Sequence, residues 1–317
     1  MGQVGQPFFT VAIPSWNGVD FIKTSTGSVL NQTFKDFELI IVDDASTDDT
    51  WEYIQSIKDP RVKVFRNQIN VGVVGNWRSC LEKANGKWFK FLMHDDFLFP
   101  DALQILKVLI DKYPENYVIV TSGVNFDDFD KVKHLLEIKP RELKDTDKYL
   151  KPIKQIIEAR KRFNQTWAMP NAYTMLRRDF IELFNSDNYL DIEKKFGDTG
   201  HLVDYYILYG IALKYKTMIE MDFPLYAVRF HPANFSRSYN QNLLYHLNGD
   251  KYVHYKLYKY KGIEHFYIIR HAVRIYIHHL KSYKRDLLNL IFLRKLSQVL
   301  KFIFKHLFNP NKLPKIK

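Results

Sequence analysis

Short apolar runs alternate with longer stretches of helical spacing through the first 122 residues of the chain. The short runs are rich in β-branched and aromatic residues, which is typical of buried strands, and the longer stretches place apolar side chains three and four positions apart. Strands are predicted at residues 8–14, 37–43, 62–65, 88–93 and 118–121, and helices at 19–30, 47–57, 73–84 and 101–112. This alternation predicts an α/β fold with a mainly parallel sheet flanked by helices.

The pattern is less regular after residue 122. Residues 123–165 are acidic and then basic, and we expect an insertion there with one helix near residues 149–163. Strands are predicted at 172–176 and 217–221, with a helix at 202–215 between them. After residue 240 the chain is rich in Lys, His, Tyr, Ile and Leu with helical spacing. We therefore divide the chain into a domain of residues 1–240, with halves 1–122 and 123–240, and a basic α-helical C-terminal extension of residues 241–317.

The excess positive charge lies in this extension. The formal net charge is +12, and residues 251–317 hold 16 of the 47 lysines and arginines but two acids, Glu264 and Asp286. A basic amphipathic helix can lie on an anionic membrane surface, and this charge segregation favours that interpretation. The alternative is that the apolar faces pack on the domain and the cations form a solvated exterior. Nucleic-acid binding is not predicted, because no recognition motif accompanies the basic residues.

Composition narrows the class of protein further. The chain is 46% hydrophobic and has one cysteine, Cys80, so it can bury a core but cannot form an intrachain disulfide. The first residues lack the basic stretch and apolar run of a signal peptide, and no window approaches 18 uncharged apolar residues. We expect a cytoplasmic protein, peripheral on the inner face of a membrane.

Polar residues directly follow three predicted strands. They are Ser15 and Asn17 after Pro14, with which the first strand ends, Asp43 and Asp44 at the end of the second, and His94, Asp95 and Asp96 after the fourth. In a doubly wound sheet, ligands bind at the carboxyl ends of the strands. A carboxylate there can accept a base N–H or a ribose hydroxyl, and adjacent carboxylates bind hard divalent cations. The pattern indicates a nucleotide and a metal.

Each acidic pair also has a structural alternative. The first pair fits a helix-capping turn, because Asp is common before a helix, and Ser46 and Asp49 are spaced as a capping box. The second pair fits a solvated turn before the helix at Asp101, as Pro100 indicates. Both turns fall at neighbouring strand ends of one sheet, which favours a shared function.

The order and spacing of these runs resemble glycosyltransferase family 2, the inverting enzymes with the GT-A fold. The resemblance covers roughly residues 8–240 and is carried by residues 28–33, 39–48, 70–72 and 91–96. It implies metal-dependent transfer of a sugar from a nucleotide-sugar, with UDP as the default, to a hydroxyl of a cell-surface glycan or lipid-linked acceptor. It also implies Mn²⁺ or Mg²⁺ as the cofactor.

The resemblance assigns roles to individual residues. Asp44 and also Asp43 would contact the base, and Pro14 and Ser15 would line the nucleoside pocket. Asp95 would bind the metal, and Asp96 beside it is predicted as a second metal residue. The remaining implied contacts to donor or metal are Asn17, Asn70, Gly72, His94, Arg229 as a phosphate contact, and His231 as a third metal ligand.

A general base is required in the second half of the domain, because an inverting transfer must remove the proton of the acceptor hydroxyl. The resemblance assigns it to Asp204, with Asp198 in reserve; the alternative is that Asp204 only stabilises a helix start. Met93 and Val203 stand where the family usually has acids. These departures support one alternative function, a non-catalytic membrane-bound sugar-nucleotide-binding protein. A nucleotidyltransferase is another, although it would need a basic, glycine-rich loop after the first strand.

Overall fold

The computed structural model describes residues 5–127, 150–152, 170–186, 189–190, 207, 210–211 and 214–231. Within these ranges the strands are β1 (Phe9–Ser15), β2 (Phe37–Asp43), β3 (Val62–Arg66), β4 (Trp88–Phe91), β5 (Phe97–Leu98), β6 (Val118–Phe126), β7 (Leu150–Pro152), β8 (Tyr173–Leu176) and β9 (Thr217–Arg229). The helices are α1 (Val19–Leu30), α2 (Thr50–Ser56), α3 (Gly72–Lys83), α4 (Ala102–Lys112) and α5 (Arg177–Phe184).

The strands form one mixed sheet in the order β3-β2-β1-β4-β8-β6-β9-β5, and β7 pairs with β9. Strand β1 lies between parallel β2 and parallel β4. The chain therefore steps outward from β1 to β2 and β3 and then returns to the other side of β1. The carboxyl ends of β1 and β4 flank this switch point, where open α/β sheets bind ligands.

The second half of the sheet brings more strand ends to the same edge. Strand β8 is antiparallel to both β4 and β6, and β9 is parallel to β6. Strands β6 and β9 therefore point in the same direction as β4. Phe230 and His231, which directly follow β9, consequently lie at the edge where β1, β2 and β4 end.

Burial explains which runs of the sequence became central strands. Every residue of β1 and β2 is buried, whereas the edge strand β3 exposes Lys63 and Arg66. Helix-covered parallel strands are apolar at consecutive positions because both of their faces are covered, and an edge strand lacks part of that cover. Strands β1 to β4 and helices α1 to α4 confirm the α/β fold predicted for this part of the chain.

The differences from the predicted elements concern the second half and the strand ends. Strands β6 and β9 pair along most of their length and extend to Phe126 and Arg229, so residues 123–126 are strand and do not begin an insertion. Residues Leu150–Pro152 pair with β9 where we predicted the start of a helix. Strand β5 was not predicted, because its two residues are too short to show a pattern.

Several predicted elements lie wholly or partly outside the described residues. Residues 207, 210, 211 and 214 are helical, in agreement with the helix predicted at 202–215, but the start of that helix is not described. Residues 153–163 of the helix predicted near 149–163, and the predicted extension 241–317, also lie outside the described residues. In the described ranges, no helix combines the length and the apolar character needed to cross a membrane.

Candidate active site

The loops after β1 and β2 are joined by side-chain hydrogen bonds. The backbone N–H of Asn17 donates to Ser46 Oγ (2.9 Å), and Asn17 Oδ1 accepts from the N–H of Thr47 (2.8 Å). The Ser46 hydroxyl donates to Asp43 Oδ1, and Asp43 Oδ2 lies 3.2 Å from Arg66 Nε. Because these bonds run between loops, the ends of β1 and β2 are held as one unit.

This arrangement replaces the capping box predicted for α2. Ser46 bonds to Asp43, and Asp49 makes no side-chain hydrogen bond to the helix start. Asp48 instead accepts from the N–H of Thr50 (3.1 Å) and the N–H of Val19 (3.3 Å), so one carboxylate lies at the starts of both α2 and α1. The prediction was wrong because residue spacing does not reveal that Ser46 has a buried partner.

Asp44 organises the loop between β3 and α3. Its carboxylate is 2% exposed, and Oδ1 accepts from Asn67 Nδ2 (2.8 Å) and the N–H of Val71 (2.9 Å). Its Oδ2 accepts from the N–H of Gly72 (3.0 Å), which also lies 3.0 Å from Asn70 Oδ1. Gly72 has a φ of 79°, a conformation that favours glycine. We call these five residues the Asp44 cluster.

Pro14 and Ser15 form the buried end of β1 beside this cluster. The carbonyl of Ser15 accepts from the N–H of Asp44 (2.8 Å). The Ser15 hydroxyl is buried and has no hydrogen-bond partner among the described residues. A buried hydroxyl without a partner is costly, so it is a candidate for contact with a ligand.

Asp95 and His231 meet at the other side of the switch point. Asp95 Oδ2 lies 3.1 Å from His231 Nε2, and Arg229 Nε donates to the carbonyl of Asp95 (3.2 Å). The Arg229 guanidinium lies over the rings of Phe21 (5.2 Å) and Phe126 (4.9 Å), and the His231 ring packs on Phe21 with centroids 4.4 Å apart. Rings from α1 and β6 thus hold the cation and the imidazole in position.

Asp96 bonds to a different, buried set of partners. It is 2% exposed; Oδ1 accepts from the N–H of Arg229 (2.9 Å), and Oδ2 accepts from Asn171 Nδ2. Asn171 Oδ1 in turn accepts from the N–H of Met93 (2.9 Å). Burial and the neighbouring Asp95 raise the pKa of Asp96 well above its ordinary value. We call Asp95, Asp96, Asn171, Arg229 and His231 the Asp95 cluster.

His94 connects the two sides of the site. Its ring lies so close to Gly18 that a Cβ at position 18 would come within 2.4 Å of His94 Cδ2, so the packing requires glycine. The N–H of Gly18 donates to Thr50 Oγ1 (2.9 Å), and α1 begins directly after it. The loop after β1 is therefore held between the loop after β2 and the loop after β4.

Sequence reasoning did not identify Lys90, Asn171 or Phe21. Lys90 is fully buried in β4, donates to the carbonyl of Asn171, and has its pKa lowered to about 7 by burial. A lone lysine in an apolar strand was a usable signal, because a buried amine needs a partner. Asn171 carried no local signal, since its partners are 75 to 81 positions away along the chain.

Of the predicted metal and base residues, the structure describes the metal residues but not the base candidates. No group of three His, Cys, Asp or Glu side chains that could hold a metal is found in the described ranges, where Asp95 and His231 are the pair in contact. Asp204 and Asp198 lie outside the described residues. A Mg²⁺-like cation commonly takes one or two protein ligands and completes its shell with water and substrate phosphates, so a two-residue site is sufficient.

The mixed α/β sheet places these carboxylates and the imidazole at its switch point, where open α/β sheets bind ligands. The family model "Glycosyl transferase family 2" matches residues 10–184, more than half of the chain. The chain belongs to this family. The resemblance noted in the sequence is thereby confirmed.

Individual relatives and solved structures that the chain resembles are also glycosyltransferases or bind nucleotide-sugars, as their names state. Over 88 residues the chain is 40% identical to an Escherichia coli "UDP-Glc:alpha-D-GlcNAc-diphosphoundecaprenol beta-1,3-glucosyltransferase WfaP", covering 28% of this chain and 35% of that protein. The S. aureus TarS 1-349 structure in complex with UDP-GlcNAc matches with a TM-score of 0.58 at 14% identity, covering 93% of this chain and 81% of that one. The mannosyltransferase PcManGT from Pyrobaculum calidifontis in complex with GDP-Man and Mn2+ matches at 0.51 and 13% identity, covering 96% and 88%.

At such low identities the structural matches show the fold, and the GT-A-like fold predicted from the sequence is confirmed. The chain spans about a third to a half of the length of the first curated relatives that it matches.

Proposed function

We propose that the chain is an inverting glycosyltransferase that moves a sugar from a nucleotide-sugar, first of all a UDP-sugar, to an acceptor hydroxyl of a lipid-linked or cell-surface glycan. Family membership supports the transfer reaction. The UDP-Glc and diphosphoundecaprenol in the name of the E. coli relative, and the UDP-GlcNAc bound to TarS, support the donor and acceptor classes.

The contact between Asp95 and His231 is the observation that carries the proposal. A metal–ligand bond of ~2.2 Å is intermediate between those of Mg²⁺ and Ca²⁺. In an octahedral complex with bonds of this length, two neighbouring ligand atoms are roughly 3.1 Å apart. The observed distance from Asp95 Oδ2 to His231 Nε2 is 3.1 Å. The pair therefore fits as two adjacent ligands of Mn²⁺ or Mg²⁺, and a donor diphosphate and water would supply the others. The Mn2+ in the PcManGT complex supports the same cofactor class.

The Asp44 cluster and the end of β1 are proposed to hold the nucleoside. Three of about four lone-pair positions of the Asp44 carboxylate accept bonds from its own cluster, which leaves one for a base N–H. The neighbouring Ser15 hydroxyl, which has no partner among the described residues, would bond to the ribose or base. Asp43 is engaged by Ser46 and Arg66, so its role in this proposal is to hold the loop.

The chemical step is a single displacement. The acceptor oxygen forms a bond to the anomeric carbon while the bond from that carbon to the diphosphate oxygen breaks, and Asp204 takes the proton of the acceptor hydroxyl. Arg229 would contact the departing diphosphate, and its place between Phe21 and Phe126 would keep that contact oriented. A bound divalent cation would neutralise charge on the leaving group.

The extension of residues 241–317 is proposed to bind an anionic membrane surface. Its charge asymmetry supports this, because each cation near an anionic surface contributes about 1 kcal/mol of attraction. A lipid-linked acceptor would then be presented at the same surface.

A donor screen tests the proposal. The full chain is incubated with UDP-, GDP- and dTDP-sugars and Mn²⁺ or Mg²⁺, and release of the nucleoside diphosphate is measured with the Asp95→Ala variant as control. We expect metal-dependent release with at least one donor and a large loss in the variant. Failure of every donor, with wild type and variant alike, would favour the non-catalytic alternative. The product from an α-linked donor should be the β-anomer by NMR, and an α-product would refute inversion.

A further inference from the structure

Both oxygens of the buried Asp96 carboxylate accept hydrogen bonds from protein donors. One oxygen accepts from the N–H of Arg229 (2.9 Å), the other accepts from the Asn171 amide, and the residue is 2% exposed. A carboxylate that serves as a metal ligand must turn an oxygen toward the ion. Asp96 instead bonds to the end of β9 and to Asn171, which lies in the short 3-10 turn Pro170–Ala172 that leads into β8.

Asn171 bonds to both ends of the loop 93–96. Its Oδ1 accepts from the N–H of Met93 (2.9 Å), and its Nδ2 donates to Asp96. The orientation of the amide follows from this pair, because a backbone N–H can only donate and must face the oxygen. Asn171 is fully buried, and its backbone carbonyl accepts a hydrogen bond from the buried Lys90. Asn171 is therefore itself anchored to the neighbouring strand β4.

We propose that Asn171 and Asp96 are positioning residues that set the spacing between Asp95 and His231. Asn171 closes the loop that carries Asp95. Asp96 then ties that loop to the N–H of Arg229, two residues before His231. The 3.1 Å contact between the two metal ligands is thus supported by the hydrogen bonds of Asn171 and Asp96, in addition to those that Asp95 makes with His231 and Arg229. The inference rests on the proposed metal-assisted transfer and reassigns Asp96 from ligand to support.

An exchange of the two side chains tests this arrangement. In Asp96→Asn/Asn171→Asp, the new amide at 96 can accept from the N–H of Arg229 and donate to the new carboxylate at 171, which still accepts from the N–H of Met93. All three bonds are restored with one carboxylate present. Asn171→Asp alone sets two carboxylates against each other, and Asp96→Asn alone sets amide N–H groups against each other unless one amide turns and loses its other bond.

Mn²⁺ affinity is the readout, measured by electron paramagnetic resonance of free Mn²⁺ in the presence of UDP. We expect each single variant to bind Mn²⁺ about 10–100-fold more weakly, as for other supports of metal ligands, and the exchanged pair to return to within about threefold of the wild type. Asn116→Ala is the matched control. It removes another buried amide, bonded to Thr217 Oγ1 (2.7 Å) at the start of β9 and thus at the opposite edge of the sheet. It should lower the unfolding midpoint without changing Mn²⁺ affinity.

The outcomes distinguish the positioning role of Asp96 and Asn171 from the metal-assisted function itself. If the exchanged pair binds as weakly as Asp96→Asn, Asp96 contacts the metal directly and the inference is wrong. Wild-type affinity in both single variants would also overturn it, while leaving the proposed function intact. If the wild type itself binds no Mn²⁺ with UDP, the metal-assisted function fails and the inference fails with it.

Discussion

Replacement of Asp44 by asparagine is the sharpest test of how the nucleoside side of the site is held. The substitution keeps the shape of the side chain. The amide oxygen of the variant can still accept from Asn67 Nδ2 and from the N–H of Val71. Its NH₂ group then faces the N–H of Gly72, which in the wild type donates to Asp44 Oδ2 at 3.0 Å. The opposite orientation would lose two bonds to save one, so the first is preferred.

The magnitude follows from these contacts. One charge-assisted hydrogen bond is lost, worth about 1.5–3 kcal/mol, and two others weaken because their acceptor becomes neutral. Removal of a buried charge offsets part of this. Since Gly72 keeps the oxygen of Asn70 at 3.0 Å, we expect the free energy of unfolding to fall by about 2–3 kcal/mol.

Urea unfolding measures this change, and calorimetric titration with UDP and Mn²⁺ measures its effect on the site. Asn70→Ala is the comparison variant; it removes an exposed acceptor that shares the N–H of Gly72, so its effect on stability should stay below about 1 kcal/mol. We expect Asp44→Asn to lose stability and nucleotide affinity together. Unchanged stability with lost UDP binding would mean that the carboxylate acts on the base alone. Wild-type behaviour in both measurements would refute the reasoning.

Four further predictions concern the metal, the base, the sheet and the extension. Asp95→Ala should abolish transfer and Mn²⁺-dependent donor binding, and unchanged turnover would exclude Asp95 as a metal ligand. Asp204→Asn should keep donor binding but lower turnover by roughly 10²–10⁴-fold, whereas loss only in Asp198→Asn would move the base. Glu38 is buried, which opposes its charge, but bonds from Lys63, Thr10 and the backbone outweigh burial and hold its pKa below its ordinary value. Its stabilisation is therefore present above an unfolded pKa of about 4.3 and lost as the pH falls through the lower folded pKa. Urea unfolding between pH 6 and ~3 should show a weaker pH dependence for Glu38→Gln, and equal slopes would contradict this. Deletion after about residue 252 should release the protein from anionic liposomes while a soluble acceptor analogue is still glycosylated; an insoluble product would favour packing on the domain.

Local pattern was sufficient for the α/β half of the domain. The apolar runs that became β1 and β2 are buried at every position, so their hydrophobic continuity was visible in the sequence without any partner. The acidic pairs at residues 43–44 and 95–96 were visible for the same reason, since polar residues that directly follow such runs must lie at a strand end. The C-terminal ends of β6 and β9 were predicted too short, because their length is set by pairing with each other and not by their own residues.

Tertiary contacts decided what each polar residue bonds to. Ser46 caps no helix because Asp43 is a buried alternative, and Asp96 turns to Asn171, 75 positions away, rather than toward His231. Residue spacing along the chain can show that a carboxylate lies at the edge of the sheet, but not which donors the fold brings to it. A buried polar group must find a partner, and the strand order brings these partners together from distant parts of the chain.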